Sequence, residues 1–126
     1  MSLTSSNPVR TDWRDEKTVE TAGDRFMQSL GFTTVRFSQP RNTMQSPGIP
    51  DRRYYNPMRN CALWWEAKTE VGKASGAQVA FRLLVEAVGE TYLIGTDDVL
   101  HEYAIRRGWV ERIGPDALRI LRKEEL

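Results

Sequence analysis

The segment that most restricts the fold is an apolar run ending in two charges, Cys61-Ala62-Leu63-Trp64-Trp65-Glu66-Ala67-Lys68. Bulky apolar side chains stand at both odd and even positions, which is typical of a strand covered on both of its faces. A short strand of this kind lies inside a sheet that has further layers above and below it. The run therefore predicts a layered fold, and it places Glu66 and Lys68 where a buried strand ends.

A first helix is predicted before this strand. Apolar residues recur there at steps of three and four until Gly31, which is a natural stop for a helix. Thr11 or Asp12 is the predicted cap at its start. Gly23 lies inside the pattern, which suggests close packing against a neighbouring element. The recurring apolar positions are Val19, Ala22, Phe26 and Leu30.

The remaining pattern completes an alternation of strands and helices. β-branched and aromatic residues predict strands at 32–37, from Asp51 to Tyr55, and at 91–94, and residues 39–50 read as a loop. Helical spacing predicts helices at 77–88 and 97–107, and 109–122 reads as a hairpin whose second half could be helical. The order α-β-β-β-α-β-α predicts an α/β fold with a central mixed sheet flanked by helices. We expect a flexible segment at 1–10, the main domain at 11–108, and an extension at 109–126 that packs on this domain or on a dimer partner.

Several classes of protein are excluded by composition. Cys61 is the one cysteine and His101 the one histidine, so disulfide scaffolds, iron–sulfur proteins and structural zinc sites are ruled out. Catalysis would have to rely on carboxylates, lysine and a metal ion. No apolar run approaches the roughly 20 residues that cross a bilayer, and residues 1–10 lack the apolar block of a signal peptide. We therefore expect no membrane contact and a cytoplasmic location.

Positive charge is concentrated between Val35 and Asn60, although the net charge of the chain is only +1. Arginines dominate this stretch, and Asp51 is the one acidic residue in it. The guanidinium group donates a planar fork of hydrogen bonds that suits phosphate, so the stretch is a candidate contact for a polyanion. The alternative is a solvated loop. The candidate nucleic-acid-binding residues are Arg36, Arg41, Arg52, Arg53 and Arg59.

Acidic residues and a lysine are predicted to converge where the strands end. Because side chains alternate along a strand, Glu66 and Lys68 point to the same face. Asp51 follows Gly48-Ile49-Pro50 and opens the neighbouring strand. Two carboxylates suit Mg²⁺, which takes few protein ligands, and the Ala67 carbonyl could add a third. The alternatives are that Asp51 caps a turn and that Glu66 and Lys68 form a surface ion pair.

This combination resembles the VRR-NUC family of the PD-(D/E)xK nuclease superfamily. The family pattern is a Gly-x-Pro-Asp loop, an apolar strand ending in Glu-x-Lys, and a helix with an early Gln. Here the pattern is met by Gly48 to Asp51, by Leu63 to Lys68 and by Gln78. Glu20 in the first helix resembles the helical acid of archaeal Holliday-junction resolvases. The resemblance spans residues 20–107.

The resemblance implies a PD-(D/E)xK restriction-endonuclease-like fold and a nuclease dependent on Mg²⁺, for which Mn²⁺ could substitute. The implied activity is hydrolysis of DNA phosphodiesters, often in branched DNA such as a Holliday junction, by a homodimer. Asp51, Glu66 and the Ala67 carbonyl would bind the metal, and Glu20 is a further candidate ligand. Lys68 and Gln78 would assist the attacking water. The alternatives are a nucleic-acid-binding module that does not cut, and a restriction-type or DNA-end nuclease.

Three assignments stay open at the level of sequence. Glu16 and Asp24 lie one helical turn from Glu20, so any of the three could be the helical acid. Gln78 could equally form a hydrogen bond at the start of its helix. Trp64 and Trp65 are expected in the core rather than as platforms for bases.

Overall fold

A mixed four-stranded sheet forms the centre of this computed structural model, which describes residues 13–37, 48–50, 52–69 and 74–122. The strands are β1 (Thr33–Arg36), β2 (Arg52–Asn56), β3 (Cys61–Ala67) and β4 (Thr91–Gly95), in the spatial order β1-β2-β3-β4. β2 is antiparallel to both β1 and β3, whereas β3 and β4 are parallel. The predicted α/β class and mixed sheet are confirmed, and β3 is an interior strand as its apolar run indicated.

Three helices and a hairpin accompany the sheet. The helices are α1 (Glu16–Ser29), α2 (Gly76–Ala87) and α3 (Asp97–Arg106), with a short 3-10 turn at Pro57–Arg59. α2 is the crossover that the parallel pairing of β3 and β4 requires. The hairpin consists of β5 (Val110–Gly114) and β6 (Ala117–Ile120), so its second half is a strand and not a helix. Within the described residues, no helix has the length and apolar character needed to span a bilayer.

The start of α1 differs from the prediction. Asp15 is the cap, and its carboxylate accepts a hydrogen bond from the backbone N–H of Thr18 at 2.7 Å. This hydrogen bond lowers the pKa of Asp15 below its ordinary value. Asp15 stands closer to the first apolar position and offers the same carboxylate chemistry as Asp12. Thr11, Asp12 and the segment 1–10 lie outside the described residues.

The two faces of the sheet pack against different helices. Leu63, Trp65 and Ala67 are buried on the face that carries α1 and α3. A Cβ atom added at Gly23 of α1 would lie 2.3 Å from the Trp65 ring, so this glycine allows the close approach that the sequence suggested. Trp64 points to the other face, where its ring meets that of Phe81 of α2 with centroids 5.4 Å apart. Both tryptophans therefore belong to packed layers.

The hairpin packs on the same core. Val110 is buried in it, Leu118 packs against it, and the N–H of Leu121 donates to the Trp109 carbonyl at 2.9 Å. These contacts anchor both strands of the hairpin beside α3.

Candidate active site at the end of strand β3

Glu66 and Lys68 lie together on the α2 face of the sheet, where β3 ends. The Lys68 Nζ is 4.0 Å from the Glu66 Oε2, and the two side chains are 26% and 16% exposed. The N–H of Lys68 donates to the Gly95 carbonyl at 2.9 Å, which fixes the backbone at this point. The structure thus brings an acid and an ammonium group to one partly buried position, as the side-chain alternation predicted.

Tyr92 of β4 is a neighbour of this pair that sequence reasoning missed. Its side chain is buried, and its hydroxyl donates to the Gly48 carbonyl at 3.4 Å. Burial, and to a lesser extent the negative charge of Glu66, raises the pKa of Tyr92 well above its ordinary value. Tyr92 therefore stays neutral and can donate a hydrogen bond across the working range of pH. Only the pairing of β3 with β4 could have located it here.

The segment 48–50 packs directly on the start of α2. Gly48 has a φ of +89°, and a Cβ atom there would lie 2.2 Å from the Ala77 carbonyl oxygen. A side chain is excluded on both counts, since the backbone angle disfavours it and the space is filled by backbone. Pro50 is fully buried. The Gly-x-Pro sequence therefore serves to hold this segment between α2 and Tyr92.

Asp51 lies outside the described residues. Its neighbour Arg52 opens β2 and pairs with Trp65, the residue before Glu66. The Ala67 backbone pairs with Gly95 on the other side of β3. Arg52, the residue that follows Asp51 in the sequence, therefore lies beside the end of β3 that carries Glu66.

Gln78 forms hydrogen bonds at the start of α2, which was one of the two roles predicted for it. Its Oε1 accepts from the Ser75 N–H at 2.9 Å, and its own N–H donates to the Ser75 Oγ at 3.1 Å. This reciprocal pair is a capping box. A role for Gln78 in positioning water stays a prediction.

The acids of α1 have separate environments. Asp24 is buried and accepts hydrogen bonds from the Tyr54 hydroxyl at 2.6 Å, from Arg52 at 3.0 Å and from Arg36 at 3.0 Å. Glu20 accepts from the Arg52 Nη2 at 3.3 Å and its side chain is 19% exposed. Glu16 is exposed. Asp24 therefore belongs to an internal network, and Glu20 is tied to the strand that begins after Asp51.

The predicted nucleic-acid-binding arginines are engaged inside the protein more than the sequence suggested. Arg52 and Arg53 have side chains only 6% and 9% exposed. Arg53 forms an ion pair with Glu90 at 3.0 Å and lies 4.5 Å from the centroid of the Trp64 ring. Because successive residues of β2 point to opposite faces, one guanidinium group enters each packed layer. Both are thereby directed to internal partners rather than to a phosphate at the surface.

The other predicted arginines are more accessible or lie elsewhere. Arg36 contacts Asp24, yet its side chain is 67% exposed. Arg59 donates to the Leu30 carbonyl and lies over the Trp109 ring. Arg41 is outside the described residues.

A second group of possible metal ligands lies at the start of α3. Asp97, Asp98 and His101 are the one trio of such side chains in the described ranges whose ligand atoms lie within 4.8 Å of one another. Arg14 pairs with Asp97 at 2.7 Å, and the His101 ring packs edge-on against Phe26. Acidic residues in the first turn of a helix are also favoured by its dipole. Internal contacts therefore account for this group.

Comparison with known proteins adds no assignment, since no family model, curated protein or solved structure matches this chain. The function is accordingly inferred from its residues and their geometry.

Proposed function

We propose that this protein is a metal-dependent DNA phosphodiesterase with a PD-(D/E)xK fold of the VRR-NUC type. The observation that carries the proposal is the placement of two parts of the sequence pattern on the α2 face of the sheet. Glu66 and Lys68 lie side by side where β3 ends, and the Gly48–Pro50 segment packs on Tyr92 and on the start of α2. That segment leads directly to Asp51 in the sequence.

The strand register supports a second carboxylate beside Glu66. Arg52 lies opposite Trp65, and consecutive Cα atoms are about 3.8 Å apart. The chain therefore enters β2 opposite the residue that precedes Glu66. An acid at residue 51 is well suited to share a cation with Glu66.

The donor set fits a hard divalent cation. Two carboxylates and the Ala67 carbonyl offer oxygen atoms only, which is the preference of Mg²⁺ and also suits Mn²⁺. When bound, such an ion polarises a phosphoryl oxygen and lowers the pKa of a bound water. Glu66 is partly buried, so its charge acts through a medium less screening than water. The Lys68 ammonium group neutralises charge that develops on the phosphate or orients the attacking water.

DNA would be bound mainly through its backbone. The exposed guanidinium group of Arg36, together with Arg41, is our choice for phosphate contacts, because Arg52, Arg53 and Arg59 have internal partners. Phosphate contacts position a nucleic acid without reading its sequence and weaken as salt rises. We therefore propose sequence-independent binding, and the resemblance to the VRR-NUC family favours branched DNA, including a Holliday junction, as the substrate.

The proposal is tested by incubating the protein with four-way, flap, splayed and linear DNA in Mg²⁺ or Mn²⁺. We expect cleavage to fall at least about 100-fold in Asp51→Asn, Glu66→Gln and Lys68→Ala, because each removes a charge needed in the transition state. Asp116→Asn, an exposed acid in the hairpin turn, is the matched control and should cut like the parent.

The same experiment separates the alternatives. Cleavage that survives the three substitutions would remove this site from the reaction. DNA binding without cleavage by the parent would indicate a binding module instead. Preference for ends over junctions would indicate a DNA-end nuclease.

A further inference from the structure

Two neighbouring arginines at the end of α3 lack the acidic partners that most other arginines have. Arg106 ends the helix, Arg107 is its C-cap, and both are exposed. Neither forms an ion pair with a carboxylate of the described residues. The arginines that do so are Arg14, Arg36, Arg52, Arg53, Arg82, Arg112 and Arg119. Two positive charges therefore stand uncompensated at one place on the surface.

Aromatic rings hold the two guanidinium groups in place. The Arg107 Cζ lies 4.8 Å from the centroid of the Trp109 ring and 5.6 Å from that of Tyr103, and its Nη1 donates to the Tyr103 hydroxyl at 2.6 Å. The Arg106 Cζ lies 6.0 Å from the same Tyr103 centroid. Positions three and four residues after 103 share its side of the helix. We call these four residues the arginine–aromatic patch.

The acids beside the patch are already engaged by other arginines. Glu102 lies one helical turn before Arg106, but it accepts a hydrogen bond from Arg112 at 2.9 Å. Glu111 of the hairpin accepts from Arg119 at 2.8 Å. Their negative charges are thus neutralised by these partners, and the potential at the patch stays positive. A positive potential of this kind attracts polyanions.

A third guanidinium group adds to the charge at the patch. Arg59 lies 5.1 Å from the Trp109 centroid, although its own hydrogen bond goes to the Leu30 carbonyl. The end of a helix favours a nearby positive charge by about 0.3–1 kcal/mol, which accounts for one such residue. It does not account for three guanidinium groups gathered around two rings, because like charges repel one another at short range. A bound anion would relieve this repulsion.

The patch lies at the opposite end of β3 from Glu66 and Lys68. The Arg107 Nη1 is 3.9 Å from the Sγ of Cys61, the residue that opens β3. Cys61 and Glu66 are five residues apart on this strand, which corresponds to about 16 Å. DNA rises about 3.4 Å per base pair, so a molecule that touches both places extends over at least about five base pairs. The patch is therefore separate from the candidate active site.

We propose that the arginine–aromatic patch is a second contact for the phosphate backbone of DNA, outside the candidate active site. The choice of DNA as the polyanion rests on the proposed function. Arg106 and Arg107 keep free N–H donors, and the guanidinium fork suits phosphate oxygens. Because the rings of Tyr103 and Trp109 already restrict these side chains, less conformational entropy is lost on binding. Such contacts strengthen binding without reading the base sequence.

The salt dependence of DNA binding tests this proposal. Fluorescence anisotropy with a labelled duplex of about 20 base pairs, in EDTA to prevent cleavage, gives the binding constant between about 50 and 200 mM salt. Its logarithm changes with the logarithm of salt concentration by about −0.9 per phosphate contact. We expect the double variant Arg106→Gln, Arg107→Gln to bind at least about 10-fold more weakly at the lowest salt, with a slope smaller by about 2. The double variant Arg106→Lys, Arg107→Lys keeps both charges and should keep the slope of the parent.

The double variant Arg25→Gln, Arg119→Gln is the matched control. It removes the same charge from two exposed arginines outside the patch. Arg25 in α1, like the patch arginines, has no carboxylate partner in the described part of the chain. We expect this control to bind DNA with a slope close to that of the parent. Urea denaturation checks that every variant is folded.

The outcomes separate this inference from the nuclease proposal. A parent that cuts DNA in Mg²⁺, while the Gln variant of the patch keeps the slope of the parent, would overturn this inference alone. A parent that does not cut, while its slope depends on the patch as expected, would support this inference and remove the proposed activity. A parent that binds no DNA, or a control that loses as much slope as the patch variant, would also overturn the inference.

Discussion

Two carboxylates on opposite faces of the central sheet have different surroundings. On the α1 and α3 face, the carboxylate of Asp24 is buried and receives hydrogen bonds from Tyr54, Arg52 and Arg36. On the α2 face, Glu66 stays partly exposed with Lys68 4.0 Å away, at the limit of an ion pair. The first arrangement holds two layers together, whereas the second leaves carboxylate and ammonium groups within reach of solvent.

The difference shows which charges are structural. A buried carboxylate is tolerated only with donors arranged around it, and those donors cannot move without cost. Arg52 was predicted to contact DNA, but it fills this role for Asp24. Side chains near solvent keep the freedom to exchange partners, which a site for a metal ion and a phosphate needs.

Neutralising one carboxylate on each face gives the largest expected difference in the free energy of unfolding. Asp24→Asn removes a charged partner of the buried Arg52 and should lower the free energy of unfolding by about 3 kcal/mol. Glu66→Gln should change it by less than about 1 kcal/mol, because Glu66 is nearer to solvent. Urea denaturation at pH 7 measures both. Equal losses in the two variants would mean that the two carboxylates do not differ in this way.

The packing of the Gly48 segment can be tested on the α2 face alone. Gly48→Ala combines an unfavourable backbone angle with a clash against the Ala77 carbonyl, so we expect a loss of about 1–3 kcal/mol. Gly89→Ala has a similar positive φ, but no atom lies within 4 Å of the added Cβ. The Gly89→Ala variant measures the cost of the backbone angle alone, and we expect it to lower the free energy of unfolding by about 1 kcal/mol. If both variants lose the same stability in urea, the segment does not pack on α2 as described.

The smallest expected effect concerns the ion pair of Arg53 and Glu90. The hydrogen bond from Arg53 lowers the pKa of Glu90 below its ordinary value of 4.5, so the pair stabilises the fold above that pH and loses its effect as the pH falls through the lowered pKa. Glu90→Gln should therefore cost at most about 1 kcal/mol at neutral pH, since the Glu90 side chain is 43% exposed and screened.

Thermal denaturation from pH 3 to 7 measures this difference between parent and variant. We expect the gap in Tm to close in acid. A gap that stays constant with pH would show that Glu90 acts through packing instead of charge. Asp116→Asn, in the exposed turn between β5 and β6, should leave the profile unchanged.

Local sequence patterns predicted most of the elements. The steps of three and four before Gly31 located α1, and the apolar run at 61–68 located β3 and its interior position. These signals succeed because side-chain spacing along a helix or strand follows directly from backbone geometry. The cap of α1 was placed too early, since Asp12 and Asp15 offer the same chemistry and only the structure shows that Asp15 accepts from the Thr18 N–H.

The candidate site was predictable only in part. Glu66 and Lys68 share a face by alternation within one strand, so the sequence sufficed for them. Tyr92 and the fit of Gly48 against α2 depend on which strands and helices meet, and no local pattern contains that information.

What the sequence alone determined is therefore the class of fold, the order of its elements and the pair of charges that ends β3. The tertiary structure decided that Arg52 and Arg53 have internal partners and that Asp24 rather than Glu20 is buried. The physical reason is the distance along the sequence over which each kind of interaction acts. Helix and strand periodicity depends on neighbours in the chain, whereas burial and ion pairing depend on residues that come together only when the layers pack.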